Sequence, residues 1–544
     1  MSGLLVVAVF APLAGCLVLL ASLIGPRRAP DGTARPNGGR TTAGTDWPRL
    51  VGVVTTGLAL AAVAIIMAGF DYGRASEMQA QTDVTWAAAL DLRFHLGVDG
   101  ISLPLVVLTA LLTFLCALYS TRVIPSAAGE AEVPGSTPTA APADARPRAF
   151  IGLLLLLETG MLGTFVALDL ILFFIFFETV LVPMYFLIAY WGAEDRARAA
   201  YKFILYTLLG SAVMLLGLLL IYVKTGTLDM VALAAAHGAG MSHNVQVVAF
   251  LALLIGFGVK VPMWPLHSWL PDAHTAAPTV GSVLLAGVLL KMGTYGLIRI
   301  AVPVLPAGAR EFAPYIGALA VIGIVYGSLA CLGQADLKRL IAYSSVGHMG
   351  FVLLGIATLT AVGINGALFA NVAHGLITGL LFFLAGAIKD RHHTSALAEL
   401  GGGLYERLPR LGGVLAFAAV ASLGLPGLAG FWGEVLTLFG AFDPAAVLHR
   451  PYFLVLMAIG GVGTLLTAVY LLVMLRRVAM GESRPRWSPV GAGTGEAASA
   501  WLDVRAIEWV SWVPLVVLIL LAGLWPKVLL AVTDPAVHTL LGAG

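Results

Sequence analysis

The chain has 544 residues, of which 59% are hydrophobic and only 11% are charged, and its formal net charge is +2. This composition excludes an ordinary water-soluble globular protein, which carries a larger share of charged side chains on its surface. No polar stretch is long enough to form a separate soluble domain, so one polytopic membrane domain is predicted for nearly the whole chain.

A membrane-spanning helix needs about 20 predominantly apolar residues, and the sequence contains about fourteen such stretches. An all-α membrane protein of about 14 transmembrane helices is therefore predicted. The approximate limits of the spans are 2–24, 50–69, 101–121, 149–167, 170–190, 203–223, 246–264, 277–299, 313–332, 340–358, 364–388, 411–432, 452–475 and 510–532.

The basic residues are distributed unevenly between the two sides of these spans. Of the 31 Lys and Arg, 22 lie in alternate loops, beginning with the loop after the first span. The positive-inside rule assigns those loops to the cytoplasm. Both termini are therefore expected on the outer side of the cell inner (plasma) membrane, which agrees with an even number of spans.

Three polar segments interrupt the spans, and the sequence assigns no function to them. The segments 25–48, 124–147 and 478–500 are rich in Pro, Gly, Ala, Thr or Arg, a composition typical of surface loops. A fourth segment, 70–99, is acidic and is expected on the outer face. It ends in FHLGVDGIS, where Gly97 and Gly100 indicate a tight entry into the third helix.

Spans four to eight and spans nine to thirteen form two blocks of five. Because each block has an odd number of spans, the second block lies upside down in the membrane relative to the first. Helices seven and twelve carry matching interruptions, GVKVPMWPLHSWLP (258–271) and LGLPGLAGFWGE (423–434). Pro and Gly at such positions predict broken helices that line an ion site. The predicted domains are N-terminal helices one to three with their loops (1–148), a first five-helix repeat (149–299), a second (313–475), and a polar loop with helix fourteen (476–544).

Charged side chains inside the spans are the main functional signal. Glu178, Lys260, Lys291 and Glu434 fall in or beside apolar helices, where a charge costs at least ~2.5–3.5 kcal/mol. Only seven of the 31 basic residues are Lys, yet both that are assigned to intramembrane positions are Lys. A buried Lys can release its proton, whereas Arg stays protonated. The use of Lys rather than Arg at the intramembrane positions predicts a proton relay.

Within this relay, Glu178 and Lys260 are expected to interact, and separating them would release a proton from the lysine. The alternative is a static ion pair that holds two helices together. Lys291 lies too deep in helix eight for its side chain to reach the membrane surface and is expected in the relay. His348 and His374 lie mid-span and either pass protons or serve as hydrogen-bonded packing residues.

Other polar residues have weaker interpretations. Glu434, expected at the far end of helix twelve, is either a proton-exit site or a surface carboxylate, and the mid-span Glu158 is expected to support Glu178. Lys202 at the start of helix six reads as an anchor at the membrane surface. An inner-face loop contains His267, Asp272 and His274, which suit proton uptake or loop rigidity equally well. No chemistry is expected from a solvated inner loop with Asp336, Lys338 and Arg339.

Several of these stretches together resemble the antiporter-like subunits, in particular the chain M group, of proton-translocating NADH–quinone oxidoreductase, respiratory complex I. The resemblance implies fourteen helices, inverted five-helix repeats and broken helices seven and twelve. It also implies that Glu178 and Lys260 are the coupling pair, that Lys291 is central, and that His348 and His374 link it to Glu434, with Glu158 as a secondary acidic position. The stretches are LGVDGIS, FFETVLVPMYFLIAYWG, GVKVPMWPLHSWLPDAHTAAPTVGSVLLAG, LKRLIAYSSVGHMGF, NVAHGLITGLLFFLAG and LGLPGLAGFWGE.

The sequence contains no motif for a nucleotide, flavin, iron–sulfur cluster or metal ion. NADH, FMN, iron–sulfur clusters and quinone are accordingly expected on partner subunits. The expected partners are other membrane-arm subunits, above all neighbouring antiporter-like chains, together with the lipid bilayer and no nucleic acid. The main alternative function is a subunit of a multi-subunit cation/proton antiporter, and a third is an inert membrane scaffold.

Overall fold

The computed structural model describes residues 1–24, 47–123, 145–481 and 503–542. Within these ranges, 13 helices are long and apolar enough to span a membrane, and two shorter apolar helices, Pro409–Ser422 and Ala429–Phe442, accompany them. The two short helices together occupy the place of the predicted twelfth span. The prediction of an all-α polytopic membrane protein is therefore confirmed.

The described helices, numbered in chain order, are α1 (Ser2–Ile24), α2 (Trp47–Ala68), α3 (Leu103–Ser120), α4 (Ala145–Val166), α5 (Leu170–Thr179), α6 (Leu181–Trp191), α7 (Arg196–Thr225), α8 (Met230–Ala236), α9 (His243–Lys260), α10 (Trp269–Ala276), α11 (Thr279–Val304), α12 (Pro306–Leu332), α13 (Leu337–Ala357), α14 (Ala361–His392), α15 (Leu397–Leu400), α16 (Leu404–Arg407), α17 (Pro409–Ser422), α18 (Ala429–Phe442), α19 (Arg450–Val478), α20 (Ala506–Leu524) and α21 (Lys527–Leu540).

Three helices form the centre of the protein. Every residue in the most apolar stretch of α11 is buried, as are nearly all of those in α13 and α14. In α2 and α19, by contrast, only a third of the corresponding residues are buried. A helix that is apolar on all sides and buried on all sides belongs inside a helical bundle, so α11, α13 and α14 are the innermost helices.

Both predicted interruptions are present. Helix seven ends at Lys260 and resumes as α10 at Trp269, and helix twelve is divided into α17 and α18. A third break, which was not predicted, divides helix five between α5 and α6 at Val180. Pro183 explains it, because proline has no N–H to donate to the carbonyl of the residue four positions earlier.

The acidic segment before α3 contains a β-hairpin that was not predicted. Strand β1 (Gln79–Ala87) pairs antiparallel with β2 (Leu92–Val98). The alternation of polar and apolar residues in DVTW (83–86) is a short strand signal. After the hairpin, Gly100 lies so close to α21 that a Cβ atom would collide with the carbonyl of Val532. This close contact is with α21, and the predicted tight entry into the third helix stays a prediction.

The predicted loops 25–48, 124–147 and 478–500 fall mostly on residues outside the described ranges, which omit 25–46, 124–144 and 482–502. The division into two inverted repeats, 149–299 and 313–475, remains a prediction.

Candidate functional site: a buried row of titratable side chains

Lys291 is the centre of the site. It lies in α11, directly after a π-helical turn at Leu285–Leu289, and it is completely buried. Its Nζ donates a short hydrogen bond to the carbonyl of Ala286, which belongs to the π turn, and lies 2.6 Å from Nδ1 of His374. Turns of this kind inside α-helices frequently occur at functional sites. The local backbone thus helps to hold the ammonium group against the imidazole.

His374 and His348 continue the row from α14 to α13. Their ring centroids are 5.6 Å apart. His348 Nδ1 is 3.5 Å from Oε1 of Glu434, and its Nε2 is 3.0 Å from Oγ of Ser422. Helices α11, α14, α13 and α18 thus each contribute one titratable side chain to a connected row, Lys291, His374, His348 and Glu434.

The structure corrects the expected position of Glu434. This residue lies inside α18 rather than at the far end of helix twelve, and it is only 6% exposed. Thr464 Oγ1 donates to its Oε2 at 3.3 Å. The interpretation as a surface carboxylate is therefore wrong, because the helix resumes after the Gly/Pro break and places Glu434 against α13 and α19.

A small cavity accompanies this end of the row. It measures about 20 Å³, and its polar lining comes from His348, His374, Thr378, Ser422 and Glu434. A cavity needs at least ~10–15 Å³ by this measure to hold one water molecule. There is thus space for about one water molecule between the two histidines and the carboxylate.

Glu178 and Lys260 lie near each other but are not bonded. They interact electrostatically, yet in the described part of the chain the Nζ of Lys260 has no hydrogen-bond partner. That Nζ instead lies 4.5 Å from the ring centroid of Phe177, the residue before Glu178. Glu178 is half-buried and immediately precedes the break in helix five. The interaction of the two charged groups across this gap is weaker than that of a direct ion pair.

Glu158 occupies a separate position in α4. It is completely buried, and neither carboxylate oxygen has a hydrogen-bond partner among the described residues. Gly160, one half-turn further on, lets α4 approach the helix-five break, because a Cβ there would be 2.7 Å from Val180 Cγ1. Glu158 is thus near the helix that carries Glu178, but no hydrogen bond connects it to the row.

Two of the three residues expected around an inner-face loop, Asp272 and His274, lie in the short helix α10. Lys202 Nζ and Asp272 Oδ2 are 2.8 Å apart, and Arg339 lies 3.4 Å from the same carboxylate. The ring of His267 packs edge-on against Tyr326 at 4.9 Å. These contacts fit the loop-rigidity interpretation of Asp272 and His267, whereas His274 is completely buried beside the central helices.

Three buried cations contradict sequence-based expectations. Lys338, assigned to a solvated loop, is only 2% exposed. Asp336 caps α13, so Lys338 is the second residue of that helix rather than part of a loop. Arg299 and Arg391 are also buried, so the buried basic residues are not only lysines. Arg299 pairs with Asp99 at 2.7 Å, and Arg391 pairs with Glu508 at 2.8 Å.

Hydroxyl and amide groups that support the row were also missed. Ser422 and Thr464 contact His348 and Glu434, and Thr294 Oγ1 donates to Oδ1 of Asn371 at 3.1 Å, one helical turn from Lys291 and His374. The sequence gives one signal for the role of Asn371 and Thr294: each lies three residues from a titratable side chain on the same helix.

Comparison with known proteins gives the family. The model of the family described as NADH:quinone oxidoreductase/Mrp antiporter, TM, matches residues 167–467. The chain belongs to this family. It is 38% identical to NADH-quinone oxidoreductase subunit M of Rhodobacter capsulatus, covering 99% of this chain and 97% of that protein. It is 40% identical to NAD(P)H-quinone oxidoreductase chain 4 1 of a Picosynechococcus species, covering 87% and 83%.

Solved structures agree with this family assignment. A chain of respiratory complex I from Thermus thermophilus with bound NADH superposes with a TM-score of 0.79 at 28% identity, covering 99% of this chain and 100% of that one. A chain of the Mrp complex from a Dietzia species gives 0.78 at 21% identity, with coverage of 100% and 99%. At 21% identity, the similarity to the chain of the Mrp complex shows a shared fold.

Proposed function

We propose that this chain is the M-type proton-translocating subunit in the membrane arm of an NADH–quinone oxidoreductase. The observation that carries the proposal is the row of Lys291, His374, His348 and Glu434, in which Lys291 lies 2.6 Å from His374, the two imidazole centroids are 5.6 Å apart and His348 lies 3.5 Å from Glu434. The names of its full-length relatives support the same function. The chain itself carries no redox centre under this proposal; NADH, FMN, iron–sulfur clusters and quinone bind to partner subunits.

Each group in the row can both accept and donate a proton. Lys291 as an ammonium gives a proton to Nδ1 of His374, and the imidazole releases one from Nε2. His348 accepts it, directly or through the water molecule for which the adjacent cavity has space, and passes it to the carboxylate of Glu434. No bond other than N–H and O–H forms or breaks, so the row only moves protons.

Glu178 and Lys260 provide the coupling step. A neighbouring subunit that changes the separation between this carboxylate and ammonium changes the electrostatic field along the membrane plane. Moving one charge against 100 mV requires about 2.3 kcal/mol. Charges that approach to about 4 Å near a protein surface interact by about 4 kcal/mol, so movement of one pair is sufficient in magnitude. Glu158 is a supporting acidic residue in this proposal.

The orientation follows from the basic loops. The face that carries most of the Lys and Arg faces the cytoplasm, and both termini face the outer side of the plasma membrane. The partners are the other membrane-arm subunits, especially neighbouring antiporter-like chains.

The test replaces Glu178 or Lys260 by Ala in the assembled complex. Each change is expected to abolish proton pumping and most of the coupled NADH oxidation, measured in sealed membrane vesicles. Arg74→Ala, at an exposed ion pair on the outer surface, is the control and should pump normally. Near-normal pumping in both Glu178→Ala and Lys260→Ala would refute the relay.

The second candidate function is a subunit of a multi-subunit cation/proton antiporter. The fold likeness to the Mrp complex and the shared family description favour it. Purification from its native membrane separates the two functions. Co-purification with NADH-oxidising flavin and iron–sulfur subunits supports the oxidoreductase, and a complex without them supports the antiporter.

A further inference from the structure

A large cavity lies on the basic face of the protein, away from the row of titratable side chains. It measures about 920 Å³ and is enclosed by the end of α12, the short helix α15 and the end of α19. Sites for small molecules typically have volumes of about 300–1,000 Å³. None of the side chains that line the cavity belongs to the row from Lys291 to Glu434, so this space has no part in the relay.

The polar side chains that line this cavity are basic or neutral. Arg476 and Arg477 are exposed in the last turn of α19, and Gln334 lies two residues after the end of α12. No acidic side chain from the described ranges lines the cavity. The two guanidinium groups therefore favour an anion in this space over a cation.

Neither guanidinium group is bonded within the protein. In the part of the chain that the structure describes, no hydrogen bond or ion pair involves Arg476 or Arg477. Lys202 on the same face is by contrast 2.8 Å from Asp272. Arginine near the end of a helix also offsets the partial negative charge of the last carbonyl groups. That effect leaves the N–H donors of both side chains available to a ligand.

A stripe of apolar side chains on α19 leads to the cavity. Leu465, Val469 and Leu472 are all exposed, and Arg476 is the next exposed residue at the same spacing. Residues three or four positions apart lie on the same face of an α-helix. Because α19 is long and apolar enough to span the membrane, this face contacts the hydrocarbon region and ends in a cation at the membrane surface.

The neighbouring helix α12 carries a similar stripe. Tyr326 and Leu329 are exposed, and Leu332, three residues further on, lines the cavity. The two helices approach closely at Gly463 of α19, where a Cβ atom would lie 2.0 Å from Cγ2 of Ile324. Apolar surface on two adjacent membrane helices thus leads to one basic cavity, which is the arrangement that an amphiphile with an anionic headgroup requires.

We propose that this cavity binds the phosphate headgroup of an anionic phospholipid, with the acyl chains along the exposed stripes of α12 and α19. Arginine suits this ligand, because its planar guanidinium group forms paired hydrogen bonds with phosphate oxygens. Anionic lipids give the cytoplasmic leaflet a negative surface potential, and the basic face is the one that we assign to the cytoplasm. A soluble phosphate ion would contact the arginines but would leave both apolar stripes unused.

This site goes beyond the proposed function, because it involves no proton transfer and no side chain of the row. Its test therefore measures lipid contact rather than pumping. A failure of the lipid site leaves the relay intact, and a failure of the relay leaves the lipid site intact.

The experiment compares two photoreactive lipids in the purified complex that contains this chain. The complex is placed in phosphatidylcholine nanodiscs with a small fraction of photoreactive phosphatidylglycerol or of photoreactive phosphatidylcholine with the same acyl chains. Peptides from the ends of α12 and α19 are expected to be labelled about thirtyfold more by the anionic probe. Each arginine near the membrane surface contributes about 1 kcal/mol, and about 1.4 kcal/mol corresponds to a factor of ten.

A double substitution tests the two arginines directly. Arg476→Gln together with Arg477→Gln is expected to lower labelling by the anionic probe to the level of the neutral probe. The matched control, Arg196→Gln together with Arg198→Gln, removes two charges from the same face at the start of α7, which packs against α6, α9 and α10. Labelling of the ends of α12 and α19 should be unchanged in this control.

Equal labelling of the wild-type protein by the two probes would overturn the lipid site, as would undiminished labelling of the double variant. Displacement of the anionic probe by millimolar inorganic phosphate would also overturn it, because the cavity would then be a site for the free ion. If the double variant does not assemble, the comparison of the two probes in the wild-type complex decides, since it needs no substitution.

Discussion

The Nζ of Lys291 and Nδ1 of His374 lie 2.6 Å apart in the middle of two helices that are buried along almost their whole length. At this distance the amine and the imidazole compete for one proton. Like charges this close repel strongly in a medium of low dielectric constant, so at most one of the two side chains carries a charge. The proton therefore has two alternative positions, which is what a relay requires.

Replacing Lys291 by Arg tests whether proton release at this position is needed. Arg keeps a positive charge but does not give up its proton at accessible pH. We expect Lys291→Arg to abolish proton pumping as completely as Lys291→Ala does, measured by proton uptake into vesicles. Lys291→His is the informative control and should pump more than either. Wild-type pumping by Lys291→Arg would show that only the charge matters.

At the other end of the row, Glu434→Gln removes the group that accepts the proton from His348. The amide keeps the shape of the side chain but does not take up a proton, so pumping is expected to be lost. Thr464→Val removes only a hydrogen bond to Glu434, which is worth about 0.5–1.5 kcal/mol. It should slow pumping by less than about tenfold. An equal effect of both substitutions would place the function in the hydrogen-bond network rather than in the carboxylate.

The two acidic residues near the helix-five break are expected to differ in importance. Glu178 interacts with Lys260, whereas the carboxylate of Glu158 has no hydrogen-bond partner in the part of the chain that is described. Glu178→Gln should therefore reduce coupled NADH oxidation and pumping strongly. Glu158→Gln, a change of nearly equal size and shape, should retain more than half of both activities. The reverse order would exchange the roles of the two residues.

The buried pair of Arg391 and Glu508 is expected to hold α20 against α14. Both side chains are completely buried, and two hydrogen bonds of 2.8 Å join them. Glu508→Gln removes the charge that Glu508 places against Arg391, and breaking a buried ion pair costs about 3–5 kcal/mol. A lower midpoint temperature of thermal unfolding of the purified complex is expected. Asp71→Asn, at an exposed ion pair with Arg74, should change stability by less than about 1 kcal/mol.

The spans and two of the breaks could be predicted because their signals are local. Apolar length defines a membrane helix, and Pro or Gly marks its interruption. The break in helix five also has a local signal, because Pro183 lies three residues beyond Val180. The order of the spans and the position of each charged residue along its helix can therefore largely be predicted from the sequence.

Contacts between distant parts of the chain could not be predicted in this way. Arg299 is buried because Asp99, two hundred residues earlier, supplies its countercharge. Lys338 lies two residues after Asp336 and directly before Arg339, so the local sequence is as polar as a loop. Only the packing of the first turn of α13 shows that Lys338 is buried. The burial of Glu434 depends on the direction in which helix twelve resumes after its break. That direction is set by contacts with neighbouring helices and cannot be read from the local sequence.

Lys260 interacts with two adjacent side chains of α5, Phe177 and Glu178. Its ammonium group now rests against the aromatic face of Phe177, a contact that is worth about 0.5–2 kcal/mol. Neighbouring residues on an α-helix point about 100° apart, so turning this short helix to present the carboxylate of Glu178 takes the ring away. Contact of the Lys260 ammonium group with the ring of Phe177 and direct contact with the carboxylate of Glu178 therefore require different rotations of α5 about its axis.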